Sequence, residues 1–103
     1  MTESVRYDVS LLSADDLYLF NEGSHFRLYR KLGAHPLTVD GVTGTYFAVW
    51  APDAEKVFVA GDFNGWDRGS HPLVPRGQSG LWDGFIPGVG PGMLYKYHIH
   101  SRF

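Results

Sequence analysis

The sequence contains no cysteine, which excludes a disulfide framework, a thiolate metal site and a cysteine nucleophile. It has no apolar run near the roughly 20 residues that a membrane-spanning helix needs, and its start, MTESVRYDVS, lacks the apolar core of a signal peptide. Positive charge is not in excess either, since 9 Lys and Arg face 11 Asp and Glu, for a net charge of −2. We therefore predict a soluble, cytoplasmic protein that has no nucleic-acid or membrane partner.

What the sequence does have is a high content of apolar and turn-forming residues in a short chain. Its 103 residues are 44% hydrophobic and 16% aromatic, with 13 glycines and 6 prolines. This composition is typical of one compact, turn-rich domain and not of a disordered segment. A chain of this length supports a single core but is short for a large catalytic scaffold.

Residues 1–40 carry helix signals and are predicted to form a helical arm or linker. Ser13 and Asp16 fit the capping pattern at the start of a first helix. A second short helix is predicted at roughly residues 24–32, because Pro36 prevents its continuation. Both helices are short, so the arm is expected to pack against the rest of the protein.

From Gly41 onward the pattern changes to strands that are separated by glycine- and proline-rich turns. The predicted strands are residues 45–50, 56–60, 71–74, 81–86 and 93–100. Their spacing favours an all-β protein built as an antiparallel β-sandwich. Residues 41–103 would form this module, and we expect it to be truncated at its C-terminus, because Phe103 directly follows a strand that lacks a returning partner.

Aromatic and aliphatic residues of these strands are the candidate core. Trp50 and Trp82 are expected in the core or at its edge, because each lies within an alternating strand. Asp83 indicates a wet face close to Trp82. The other packing candidates are Phe47, Val49, Val57, Val59, Phe85 and Ile86.

No set of residues has the setting of a catalytic or metal site. The acidic residues lie mostly in the arm and in turns, where solvated carboxylates are common, so no catalytic pair of carboxyl groups is predicted. His98 and His100 share one face of a strand, but no third metal ligand is apparent. The glycine-rich stretch 88–92 contains proline and is not followed by Gly-Lys-Ser/Thr, which argues against a phosphate loop. We expect no catalytic residue, no metal and no cofactor in this chain.

The run GDFNGW ends on Trp66, a large apolar side chain on a turn. Turns need glycine and asparagine but not tryptophan, so this ring either folds back onto the core or meets a flat partner. A pyranose ring has a flat apolar face, and Asn64, Asp62 and Asp67 offer polar groups beside it for sugar hydroxyls. Lys96 lies on a strand that could run near this turn.

Residues 17–36, 44–67 and 80–99 resemble the amino-terminal region of bacterial glycogen branching enzymes. From Gly44 onward, the FAVWAPDA and GDFNGW elements are similar to those of family 48 carbohydrate-binding modules, which are immunoglobulin-like sandwiches. The resemblance implies an α-glucan (glycogen)-binding module of an enzyme that transfers α-1,4-glucan chains to make α-1,6 branches. It also implies that catalysis takes place in a family 13 barrel, which is absent from this chain. The expected partners are α-glucan and this barrel, and the protein is expected to be a monomer.

The same resemblance implies Trp66 and Lys96 as sugar contacts. Counting from Lys96 places a second aromatic platform near Phe103, where binders of this family have tryptophan. The predicted carbohydrate-binding residues are therefore Trp66, Lys96, Asn64 and Phe103. Two alternatives stay open for Trp66: the barrel could cover it, making the module a structural docking domain with little sugar binding of its own, or it could fold onto its own sandwich.

Overall fold

The computed structural model describes residues 5–13, 31–76 and 80–101, and these form two antiparallel sheets. The strands are β1 (Gly33–Val39), β2 (Val42–Trp50), β3 (Ala54–Gly61), β4 (Val74–Pro75), β5 (Leu81–Pro87) and β6 (Tyr95–Ser101). One sheet has the order β1-β2-β5-β4, and β3 pairs with β6 in the other. The all-β antiparallel sandwich is therefore confirmed. Among the residues that the structure describes, no helical segment has the length and apolar character of a membrane span.

All five predicted strands are present, with ends within three residues of the prediction. The one predicted at 71–74 is reduced to the two residues of β4. The predicted helices fall mostly on residues 14–30, which lie outside the described residues.

The strand β1 was not predicted, although it pairs with β2 along its whole length. The two strands are joined by Asp40-Gly41, whose φ angles of 52° and 79° are both left-handed. An Asp-Gly pair between apolar residues is a strong signal for a tight hairpin. Pro36 is tolerated because β1 lies at the edge of the described sheet, where its missing N–H weakens no interior ladder. The sandwich thus begins before residue 41.

Strands β2 and β5 are buried on both faces, which explains why their sequences are apolar almost without interruption. One face packs against the second sheet and includes Phe47, Trp82 and Ile86. On the opposite face, Tyr46 and Phe85 pack under partly buried residues that include Val9 and Leu37, from outside these two strands.

Most of the predicted core residues are in the core. Buried residues are Phe47, Val57, Val59, Phe85 and Ile86, and Val49 is partly buried. Trp82 is buried as predicted, and its indole N–H donates to the Ala51 carbonyl at 3.1 Å. The prediction for Trp50 was wrong, because this last residue of β2 lies at the end of the sheet and is 52% exposed.

Asp83 is the most deeply buried charged group among the described residues, with 0% of its surface exposed. Its carboxylate accepts hydrogen bonds from the Tyr46 hydroxyl at 2.7 Å and from the Ser10 hydroxyl at 2.5 Å. The Arg76 Nε donates to it at 2.5 Å, and Arg76 Nη2 donates to the Tyr7 carbonyl at 2.7 Å. The wet face expected here is therefore a dry, fully paired network that ties residues 7–10 and Arg76 to β5.

The segment from His71 to Pro75 connects the two sheets. The N–H of Val59 donates to the His71 carbonyl at 2.9 Å, and Leu73 donates to the Val57 carbonyl at 2.8 Å, so the segment first pairs with β3. It then pairs with β5 through β4. This crossing fixes the end of β3, where the turn that carries Trp66 begins.

Replacing Asp83 by Ala is expected to lower the free energy of unfolding by about 3 kcal/mol, because the buried Tyr46 hydroxyl and the Arg76 guanidinium lose their shared acceptor. Urea denaturation measures this change. Asp53→Ala, which removes an exposed turn carboxylate, is the control and should change stability by no more than about 0.5 kcal/mol. A similar effect of both substitutions would contradict a structural role for the network.

Stability is expected to fall above pH 10, because burial raises the pKa of the Tyr46 and Tyr97 hydroxyls in the folded state. In that range the unfolded chain loses phenolic protons that the folded chain keeps, so the free energy of unfolding decreases by about 1.4 kcal/mol per pH unit for each tyrosine. Urea denaturation between about pH 8 and about pH 11 measures the slope. Tyr97→Phe should remove one tyrosine's share of it, and an unchanged slope in this variant would refute the assignment.

Candidate functional site

The turn after β3 holds Trp66 in an unusual backbone conformation. A single 3-10 turn, Asp62–Asn64, follows the strand, and then Gly65 and Trp66 both have left-handed φ angles, of 65° and 63°. The Trp66 N–H donates to the Gly61 carbonyl at 2.9 Å, which closes the turn. For a bulky residue this conformation costs about 1–2 kcal/mol, so the surrounding turn must impose it.

Asn64 is the residue that imposes it. Its Oδ1 accepts a hydrogen bond from the Gly61 N–H at 3.0 Å, and its Nδ2 donates to the Val59 carbonyl at 3.0 Å. The same Nδ2 lies 3.0 Å from Nδ1 of His71, which connects the turn to the segment that crosses between the sheets. The side-chain amide is thus used inside the turn.

The two acidic residues of the turn are also engaged with backbone. Asp67 Oδ1 accepts from the Gly69 N–H at 2.9 Å, and Asp62 Oδ2 accepts from the Leu94 N–H at 3.3 Å. Both carboxylates therefore shape the loops beside Trp66.

Trp66 and Lys96, predicted from distant parts of the sequence, line the same open pocket of about 490 Å³. Lys96 lies directly opposite Ala60 in the β3–β6 register, and the turn returns Trp66 to this pair. The Trp66 side chain is 41% exposed and Lys96 is exposed. The full lining is Ala60, Trp66, Arg68, Lys96, Tyr97 and His98.

Asn64 is not among the lining residues, and Phe103 lies outside the described residues. Arg68 and His98 also line the pocket, and neither was among the predicted carbohydrate-binding residues. The signal for His98 was available, since it is two residues from Lys96 on the same strand and so points to the same face. No sequence signal places Arg68, because its position depends on how the turn folds back.

The pocket is positively charged. Arg68 and Lys96 bring permanent cations, while His98 borders the exposed His100, with ring centroids 4.6 Å apart. Partial desolvation, together with the positive charges of His100 and Arg68, lowers the pKa of His98, which favours its neutral form at pH 7. The histidine pair shares a face as predicted, and in the described ranges no group of three His, Asp or Glu side chains could hold a metal ion.

Tyr97 also lines the pocket, although its side chain packs into the core between the two sheets. Its hydroxyl donates to the Ala48 carbonyl of the opposite sheet at 3.1 Å. The ring also packs edge-on against Phe47, so this residue anchors β6 below the pocket floor.

Comparison with known protein families assigns this chain to a family. Residues 31–103 match carbohydrate-binding module 48, described as the isoamylase N-terminal domain. The chain belongs to this family. A family of binding modules agrees with the prediction that this stretch carries no catalytic residues.

The module is similar to segments of enzymes named 1,4-alpha-glucan branching enzyme. It is 62% identical over 88 residues to the one from Synechococcus sp. (strain JA-3-3Ab), which covers 85% of the chain and 11% of that enzyme. It is 57% identical over 91 residues to the one from Methylococcus capsulatus, covering 88% of the chain and 12% of the enzyme. The enzyme from Rubrobacter xylanophilus is 61% identical over 89 residues, covering 86% and 12%. The module thus spans 11–12% of the length of these relatives.

The strain at Trp66 has a measurable consequence. Trp66→Gly is expected to be more stable than Trp66→Ala by about 1 kcal/mol, because glycine adopts a left-handed φ without cost. At Trp50, which has no positive φ, the order should be reversed: Trp50→Ala should be the more stable. Thermal or urea denaturation of the four variants compares the two positions. If alanine were the more stable substitution at both positions, the strain at Trp66 would be refuted.

Proposed function

We propose that the module binds α-1,4-glucan such as glycogen, with the Trp66 ring as a platform for a pyranose face and Lys96 as a hydrogen-bond donor to sugar hydroxyls. A flat aromatic ring set against the C–H face of a sugar removes both from water, and a neighbouring ammonium fixes the orientation of the hydroxyls. The membership of the chain in a carbohydrate-binding family supports this assignment.

The observation that carries the proposal is the strained, exposed Trp66 beside Lys96. Packing in the core does not explain Trp66, because the residue is 41% exposed. Formation of the turn does not explain it either, because a bulky residue is unfavourable at a φ of 63°. Strain that is maintained by the surrounding structure is common where a side chain must be presented to a ligand. Asn64 then acts by positioning the ring, and Phe103 remains the predicted second platform.

The relatives suggest what the bound glucan is for. Their printed name is 1,4-alpha-glucan branching enzyme, and the module spans 11–12% of their length. We propose that the module belongs to a longer cytoplasmic enzyme of glycogen biosynthesis, which cuts α-1,4-glucan chains and rejoins them as α-1,6 branches. The chemistry would take place in a family 13 barrel, and the module would hold the polymer near it as part of a monomer.

A structural docking role is the second candidate, and a separate surface favours it. Trp50, at 52% exposure, and Ile99, at 46%, line a shallow apolar pocket of about 210 Å³ at the end of the sandwich away from Trp66. An exposed apolar surface of this kind suits packing against another protein domain. In that role the module would orient the catalytic barrel and bind little sugar by itself.

A titration with maltoheptaose, followed by NMR, tests the binding role directly. We expect the indole N–H of Trp66 and the backbone amide of Lys96 to shift together and to saturate, while the indole signals of Trp50 and Trp82 stay in place. Trp66→Ala should weaken binding by about tenfold or more, because it removes the platform.

Trp50→Phe is the matched control, since it alters the other exposed tryptophan, and it should leave the affinity unchanged. If no signal moves at millimolar ligand, or if Trp66→Ala binds as well as the unchanged chain, the glucan-binding role fails and the docking role takes its place.

A further inference from the structure

The pocket beside Trp66 offers many hydrogen-bond donors and few acceptors. The Arg68 guanidinium, the Lys96 ammonium and the Trp66 indole N–H can only donate. Among the lining side chains, the imidazole of His98 is the one group free to accept, because the Tyr97 hydroxyl is already bonded in the core. A neutral sugar hydroxyl donates one hydrogen bond and accepts others, so it matches this lining only in part.

The charges of the pocket are also uncompensated. Neither Arg68 nor Lys96 forms an ion pair with a carboxylate in the described part of the chain. The nearby acids, Asp62 and Asp67, bond backbone N–H groups and do not line the pocket. This local positive charge occurs in a chain whose net charge is −2, so it is not a consequence of composition.

We propose that this pocket recognises an α-glucan that carries a phosphate monoester, with the sugar ring on Trp66 and the phosphate between Arg68 and Lys96. A phosphate monoester has three acceptor oxygens and a charge of about −1.5 to −2 at neutral pH, which is what a donor-only, cationic lining complements. The pocket volume of about 490 Å³ accommodates a sugar residue together with such a group. The inference rests on the proposed glucan function and narrows it to a phosphorylated form of the polymer.

Ala60 is what makes room for this group. It lies opposite Lys96 in the strand register and is 5% exposed, at the floor of the pocket.

The test compares three ligands on the 103-residue chain by isothermal titration calorimetry: maltoheptaose, maltoheptaose bearing one phosphate on a primary hydroxyl, and glucose 6-phosphate. We expect the phosphorylated oligosaccharide to bind about tenfold more tightly than the neutral one, and more tightly than glucose 6-phosphate. The advantage should shrink when salt is raised from about 0.05 M to about 0.5 M, since screening weakens exposed charge pairs.

Two variants assign the effect to the pocket. Arg68→Gln should reduce the ratio of the two oligosaccharide affinities towards one, because it removes a cation that only the phosphate needs. Lys56→Gln is the matched control: it removes an exposed cation from β3 that does not line the pocket, and it should leave the ratio unchanged.

The possible results distinguish a failure of phosphate recognition from a failure of glucan binding. If neutral and phosphorylated maltoheptaose bind equally, or the phosphate weakens binding, the phosphate proposal is overturned while glucan binding stands. If glucose 6-phosphate binds as tightly as the phosphorylated oligosaccharide, the site is one for free sugar phosphates and the proposal is again overturned. If none of the three ligands binds, the glucan function fails as well.

Discussion

The buried carboxylate of Asp83 is the constraint on which the larger sheet depends. It lies in the middle of β5 without access to water, so each donor that reaches it is held in a defined place. Ser10, Tyr46 and Arg76 come from three separate segments and converge on this one group. The network therefore decides how the N-terminal residues cover the sheet, and it allows β2 and β5 to be buried on both faces.

A second polar side chain plays the same part for the turn. Asn64 satisfies backbone groups of β3 and meets His71, which lies in the segment that crosses to the larger sheet. The position of Trp66 is thus connected through hydrogen bonds to the framework of the sandwich and does not depend on the loop alone. Because the amide is used in this way, Asn64, one of the four predicted carbohydrate-binding residues, shapes the turn that carries Trp66.

Local patterns predicted the strands well, because runs such as TYFAVW and KVFVAG have high β-propensity and end at turn residues. They do not predict β1, since Pro36 also reads as a helix stop, and the hairpin is signalled only by the short Asp40-Gly41 pair. Exposure of Trp50 was not predictable from alternation, because it depends on where the covering layer ends. Likewise, the burial of Asp83 and the place of Arg68 depend on contacts across long sequence separations.

The arrangement of the two sheets also explains why the candidate site lies where it does. The larger sheet has elements packed on both of its faces, so most of its central residues are buried. The β3–β6 pair has its inner side in the core, while Lys56, Phe58, Lys96 and His98 point outward on the other. A turn at the end of β3 is the shortest route by which a large ring can reach this open face. The turn that holds Trp66 in its left-handed conformation also brings it to the pocket that Lys96 lines, so the strain and the location of the pocket belong to the same turn.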